Sequence, residues 1–199
     1  MENPKQEIAE VILKLTEGSP DEQRDTFDTY FLPDGGFVHP FCRVPRFSQV
    51  LVPFIGYINS RWIIWVIYRW YKILSPRIIA DIQGNAAFEV DGQIQILYVE
   101  IQQIFSIFFV PFYEANVHLT CKLTLDYNAK DRKYMIASQE DLYQPNEFLK
   151  FVLPGGATLA WIWQLIASGF CILGALFFVP ITWLEQKYAD RKQDRSKKY

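Results

Sequence analysis

The apolar positions of this chain follow a helical period first and a strand period later. After Asn3-Pro4, residues Ile8, Val11, Ile12 and Leu15 recur every three to four positions, which predicts an amphipathic helix ending near Gly18. Ser19-Pro20-Asp21-Glu22 opens a second helix, with Ser19 as N-cap, Pro20 in the first turn and Glu22 closing an S-x-x-E capping box. That helix is expected to reach about Phe31 and to stop at Pro33. G-G-F-V-H-P-F-C-R (35–43) reads as a short strand, and the connection over 44–58 is unusually apolar. A third helix covers R-W-I-I-W-V-I-Y-R-W-Y-K (61–72) and ends at Ser75-Pro76. The period then changes to two. Strands are predicted at 77–84, 94–106, 113–127 and 133–143, with Asp91-Gly92 as a hairpin turn and 128–131 as the turn into the last strand. In the third of these, Val117, Leu119, Cys121, Leu123 and Leu125 share one face and His118, Thr120, Lys122 and Thr124 the other.

A different pattern follows. From Phe151 to Leu184 there is no charged residue, and 28 residues from Ala157 are densely apolar. About 20 such residues cross a bilayer's hydrocarbon core, so 151–184 is expected to be a membrane anchor. Trp161 and Trp163 near one end and Trp183 at the other suit interfacial aromatic belts. Two topologies stay open: a single span, which is favoured, or a hairpin bending near Gly169 or Pro180 with Gly174 assisting. The tail 185–199 carries six basic and three acidic residues, a charge that the positive-inside tendency keeps cytosolic. Hence the tail is cytosolic or luminal according to the topology. The layout is therefore a domain over 1–150, an anchor and a basic tail. The domain is expected to face the cytosol on an intracellular membrane, the endoplasmic reticulum before the mitochondrial outer membrane.

The 61–72 helix is too short to span. On a helical wheel Arg61, Trp65, Tyr68, Arg69 and Lys72 share one side, while Ile63, Val66, Ile67, Trp70, Ile73 and Leu74 largely share the other. The plain reading puts the apolar side in the core and lets the cations snorkel outward. The sharper reading lays the basic and aromatic side, with Trp62, against lipid headgroups. The apolar stretches 50–57, with Phe54, and 104–113, with Phe108 and Phe109, are candidates for the same interface.

Net charge is −2 over 199 residues, so nucleic acid is not an expected partner. Cys42, Cys121 and Cys171 are odd in number and lack CxxC spacing, which argues against zinc and a disulfide framework. No Gly-rich phosphate loop, nucleophile elbow or metal-spaced cluster is present. Neither cofactor nor metal is expected.

Helices followed by a run of strands give an α+β fold in which a curved antiparallel sheet wraps three helices. F-V-H-P-F-C-R (37–43), S-R-W-I-I-W-V-I-Y-R-W-Y-K-I-L-S-P-R (60–77), V-P-F-Y (110–113) and S-Q-E-D-L-Y-Q (138–144) carry a resemblance over residues 5–184. The chain resembles the SigF-like members of the nuclear transport factor 2-like superfamily, mostly fungal proteins with a C-terminal apolar segment. The resemblance implies a cone, shared with ketosteroid isomerase and scytalone dehydratase, that encloses an apolar pocket. No activity is firmly attached to the SigF-like group.

His39, Phe41, Tyr98 and Tyr143 are the expected pocket residues. His39, Asp141 and Tyr143, with Tyr98 or Glu100 across the sheet, are the candidates for proton transfer of the kind those enzymes perform. Their catalytic pattern has no residue-by-residue match here, so His39 is read first as a structural histidine. Three functions remain open. The first is a non-enzymatic anchored module binding a lipid or sterol. The second is a small isomerase or dehydratase on a hydrophobic substrate. The third is a subunit joined to a membrane protein partner through the anchor, where Gly169 and Gly174 allow close helix packing.

Overall fold

The computed structural model describes residues 1–106, 114–181, 183, 184 and 186–188. Helix α1 (Pro4–Glu17) buries Ile8, Val11, Ile12 and Leu15, the stripe its period sets. Its N-terminus is closed by Glu7 rather than Asn3: the Glu7 Oε1 accepts from the backbone N–H groups of Glu2 and Asn3 at 2.7 and 2.6 Å. Helix α2 (Pro20–Tyr30) has the reciprocal cap. The Ser19 hydroxyl accepts from Glu22 N–H at 3.3 Å, and the Glu22 carboxylate accepts from Ser19 N–H at 2.8 Å. Ser19→Ala therefore costs about 1 kcal/mol, read as a lower thermal midpoint with an unchanged far-UV spectrum.

Strand β1 (Phe31–His39) starts directly at the end of α2, earlier than the sequence predicts. Phe31 pairs with Ile136, after which the register shifts before Gly36. Pro33 falls in that irregularity, where its missing N–H costs no ladder bond. Strand β2 (Cys42–Val44) folds back on β1. The apolar connection after it is a separate hairpin, β3 (Val50–Val52) and β4 (Gly56–Ile58). Helix α3 (Ser60–Leu74) follows, capped by the Asn59 side chain on Trp62 N–H at 2.9 Å.

Strands β5 (Ile79–Val90), β6 (Gln93–Ser106), β7 (Glu114–Asn128) and β8 (Lys133–Tyr143) form a meander. Asp91 and Gly92 both have positive φ, +52° and +75°, as a type I′ hairpin requires. The sheet order is β2-β1-β8-β7-β6-β5. One pairing departs from the antiparallel expectation: β1 runs parallel to β8, so the sheet is mixed. No hairpin joins those two strands, so no tight turn dictates their direction.

The core lies on one face of the curved sheet. Leu97, Val99 and Ile101 of β6 and Leu119 to Leu125 of β7 at alternate positions meet the buried stripe of α1, Phe27 of α2 and Ile64 of α3. Helix α4 (Pro145–Val152) packs near β7, where the Glu147 carboxylate accepts from His118 N–H at 2.9 Å.

The chain divides into two compact units, Met1–Pro154 and Gly155–Tyr199. The second is built on α5 (Gly156–Phe177), which runs unbroken through Gly169 and Gly174 and is interrupted at Phe178, two residues before Pro180. Among the described residues it is the one helix long and apolar enough to cross a membrane. At 1.5 Å per residue it is about 33 Å long, against a hydrocarbon core of roughly 30 Å. Trp161 and Trp163 in its first turns, and Trp183 beyond its end, are exposed.

Candidate functional site

The first unit encloses a cavity of about 60 Å³ between its sheet and its helices. Its walls are apolar: Ile8 and Ile12 come from α1, Ile101 and Leu123 from the sheet, and Phe37 from β1. One polar group on it joins His39 of β1, Tyr68 and Tyr71 of α3, and Gln139, Asp141 and Tyr143 of β8, while Thr16, Gln23 and Gln103 also reach the wall. Residues 139, 141 and 143 alternate along one strand and so point the same way. Tyr68 and Tyr71 are three apart on one helix face, beside the buried Ile64.

Two hydrogen-bonded chains result. In one, the Gln139 Nε2 donates to Tyr68 Oη at 2.6 Å and to the Asp141 Oδ1 at 2.8 Å, using both its hydrogens. In the other, the Nδ1 of His39 accepts from Phe41 N–H at 3.3 Å and lies 3.2 Å from Tyr71 Oη, which is 3.4 Å from the Cys42 Sγ. An accepting Nδ1 fixes the neutral imidazole as the tautomer with hydrogen on Nε2. Four rings box that imidazole: Phe37, Phe41, Tyr71 and Tyr143, with centroids 6.2, 5.4, 5.2 and 5.3 Å away.

Burial sets the electrostatics. Removal from water pushes the Asp141 carboxyl up to about 6, against the opposing hydrogen bonds from Gln139 and Cys121. The same desolvation pushes His39 down to about 4. It raises Tyr68, Tyr71 and Tyr143, so all three hydroxyls remain donors at neutral pH. The Cys121 thiol is also pushed up, which leaves it protonated and a poor nucleophile. Asp141 is thus the one member of this group that exchanges a proton near physiological pH, while the tyrosines and the His39 Nε2–H offer donors to an oxygen.

Of the residues singled out in the sequence, His39, Phe41, Asp141 and Tyr143 share the cavity wall. Tyr98 does not. It pairs with Lys122 and is 36% exposed, because Leu97 and Val99 on either side of it take the inner face. Glu100 shares that outer face. The sequence reading assigned Tyr68 to a lipid-facing side rather than the pocket, and did not single out Tyr71, Gln139 or Phe148. The spacing of Tyr68 and Tyr71 from Ile64 was a signal for the first two; Gln139 needed the parity of β8.

The orientation of α3 differs in part from the expectation: Ile63 and Ile67 pack on the core, but the cations do not point outward. Its basic side faces the neighbouring helices. Arg61 pairs with Asp28 at 2.9 Å and donates to Phe31 O at 3.0 Å. Arg69 donates to the Gln23 side chain at 2.9 Å. Lys72 donates to the Thr16 and Glu17 carbonyls at 3.2 and 3.1 Å, closing the C-terminal end of α1. Tyr68 is in the cavity wall and Trp65 packs on the core beneath the Arg24 guanidinium, 5.7 Å from its ring. The cause is demand for donors: the last carbonyls of α1 and α2 lack helical partners, and Arg61 and Lys72 on one face of α3 supply them. Val66, Trp70 and Ile73 face outward instead, and Trp62 is half-buried. Phe54 is fully exposed at the tip of the β3–β4 hairpin. Phe108 and Phe109 lie outside the described residues.

The sequence pattern of the SigF NTF2-like domain matches residues 1–183. Solved structures share the fold at low identity. A protein from Catenulispora acidiphila with a ketosteroid isomerase-like fold, in complex with trimethylamine, is 15% identical, with 75% of this chain and 94% of that one covered and a TM-score of 0.47. A Novosphingobium aromaticivorans protein, provisionally named an aromatic ring hydroxylase, is 7% identical over 70% and 87% of the two chains, with a TM-score of 0.49. Mtr2 of Candida albicans is 9% identical over 72% and 98%, with a TM-score of 0.47. No curated protein matches the chain.

Proposed function

Because the chain belongs to the SigF NTF2-like domain family over residues 1–183, we propose that its first unit is a pocket for a hydrophobic ligand bearing one hydroxyl or carbonyl group, carried at a membrane by α5. The observation that carries this reading is the cavity itself, apolar in its walls with Asp141, Tyr71, Tyr143 and His39 gathered on it. A desolvated carboxyl that forms no ion pair among the described residues lowers the stability of a fold, and a ligand oxygen hydrogen-bonded there offsets part of that cost. The length, uninterrupted course and exposed tryptophans of α5 support a single span over a hairpin.

Size narrows the ligand. A water molecule occupies about 10–15 Å³ of cavity on the same measure, so about 60 Å³ admits a few water-sized groups. A slender acyl-type chain or a small ring fits this better than a sterol. Larger molecules need an opening, and the wall at Phe41 and Phe148 is the place for it. Their rings lie 4.8 Å apart on the cavity wall, with Phe41 half-exposed to solvent.

The test is native mass spectrometry with lipid extraction on detergent-purified full-length protein, beside Cys121→Phe, which fills the cavity from β7. Wild type is expected to retain one hydrophobic molecule, and the variant to lose it with an unchanged far-UV spectrum. An empty wild type, with Cys121→Phe more stable, would show a hole in the core and no binding site.

A second reading rests on one observation, the Asp141 carboxyl at about 6. That value suits a general base or acid acting on the bound molecule. Asp141→Asn separates the readings: retention of the ligand with loss of its turnover marks an enzyme, and unchanged ligand chemistry marks a binding module.

A further inference from the structure

The outward side of α3 is largely apolar, with Arg69 at its border turned to the Gln23 side chain. Trp62, Val66, Trp70 and Ile73 follow one another along it, the last three exposed. The β3–β4 hairpin beside its N-terminus is equally apolar, with Leu51, Phe54, Ile55 and Tyr57 all 60% exposed or more. A recess of about 360 Å³ joins the two, lined by Ile55 and Tyr57 from the hairpin, Trp62 and Trp65 from α3, and Arg24 from α2. Exposed apolar side chains on both sides of this recess, whose floor also carries Asp28, Asn59 and Arg61, mark a partner or a membrane.

The hairpin tip is built at a cost to the fold. Ile55 N–H donates to Val52 O at 3.2 Å, so Val52–Ile55 is a turn with Pro53 and Phe54 at its centre. Phe54 has φ +68°, the left-handed geometry of the third position of a type II turn, where Gly or Asn is favoured. A bulky side chain there is strained, and this one touches water on all sides. Strain held for an exposed aromatic ring points to contact with something outside the fold.

We propose that the hairpin and the outward stripe of α3 form one surface that seats on an anionic phospholipid bilayer. The proposal rests on the membrane part of the function above, since α5 follows the first unit immediately and holds it within reach of the lipid. Tethering raises the effective concentration of the surface, so modest contacts suffice. Composition favours lipid as the occupant. Tryptophan and tyrosine suit the headgroup zone and Phe54 the acyl boundary. Arg24 on the recess, and the exposed Arg77 three residues beyond α3, form no ion pair among the described residues and match anionic headgroups. Asp28, the carboxylate on the recess, is already held by Arg61. The Trp65 Nε1–H is buried without an acceptor among the described residues, one more donor beside the recess.

The experiment places a benzoylphenylalanine at position 54, 70 or, on the outer face of the sheet, 98. Full-length protein is reconstituted in nanodiscs of phosphatidylcholine with or without an equal part of phosphatidylserine, then irradiated. Phospholipid adducts at 54 and 70 and none at 98 are expected, with higher yield when phosphatidylserine is present. Arg24→Gln and Arg77→Gln should each lower that serine-dependent gain about five-fold. Adducts joining two copies of the chain, or lipid adducts equal at all three positions, overturn the proposal. Alkaline carbonate extraction reports the span separately. Resistance to extraction without adducts sinks the docking surface alone, whereas extraction sinks the anchor on which it rests.

Discussion

Asp141→Asn raises the thermal midpoint of the full chain at neutral pH by on the order of 10 °C. In the fold the carboxyl is raised from 3.8 to about 6. Below pH 3.8 it is protonated both folded and unfolded and has no effect. As pH rises from 3.8 to 6 the unfolded chain ionises first and stability falls; above 6 the loss is complete, about 3 kcal/mol. Asparagine keeps the shape and still accepts from Gln139 Nε2, so it removes the loss and keeps the bond. His39 works in the opposite sense. Its value falls from 6.5 to about 4, so the unfolded chain takes up a proton first as pH drops through that window, and acid destabilises the fold. The two slopes oppose each other between pH 4 and 6, and the wild-type profile there is correspondingly flat. Asp141→Asn should expose the histidine's slope, with stability falling toward pH 4. His39→Gln should expose the carboxyl's, with stability rising toward pH 4. Thermal melts of both variants across that range decide the matter; parallel profiles in all three proteins would refute the assignment. A residue whose replacement stabilises the fold is one retained for function.

Phe27→Ala is the second large effect, a loss of about 3–5 kcal/mol. Phe27 is 1% exposed and packs between Phe31, at 4.7 Å, and Tyr68, at 5.1 Å. The cavity left by its ring lies directly behind Tyr68, whose Oη accepts from Gln139. The variant should therefore lose stability and also hold the bound molecule less tightly, through a looser Tyr68–Gln139–Asp141 chain. Denaturant unfolding with ligand retention measured on the same sample checks both. Full stability loss with undiminished retention would show that Tyr68 does not position the polar end of the cavity.

Much of the fold is legible along the chain because short-range physics writes it there. The α1 stripe, the Ser19–Glu22 cap, the Asp91-Gly92 turn and the alternation of β7 each depend on residues within a few positions of one another. The length of uncharged sequence after Phe151 needs no partner to be read. The resemblance to the cone fold marked His39, Asp141 and Tyr143, but left Tyr98 on the wrong face. A strand's parity is known only once its neighbour's inner face is fixed, and Leu97 and Val99 fix it here. The parallel β1–β8 pairing and the gathering of Gln139 with Tyr68 join residues that no local rule connects.

Helix α3 shows the division most sharply. Its sequence alone set the amphipathic wheel, with the cations on one side and Val66, Trp70 and Ile73 on the other. Which side met water was decided by tertiary structure, because the open carbonyls of α1 and α2 drew Arg61 and Lys72 inward as hydrogen-bond donors. Hydrophobicity ranks side chains by their transfer from water, and a sequence carries that ranking. It does not carry the unsatisfied backbone groups of neighbouring elements, which exist only when those elements come together.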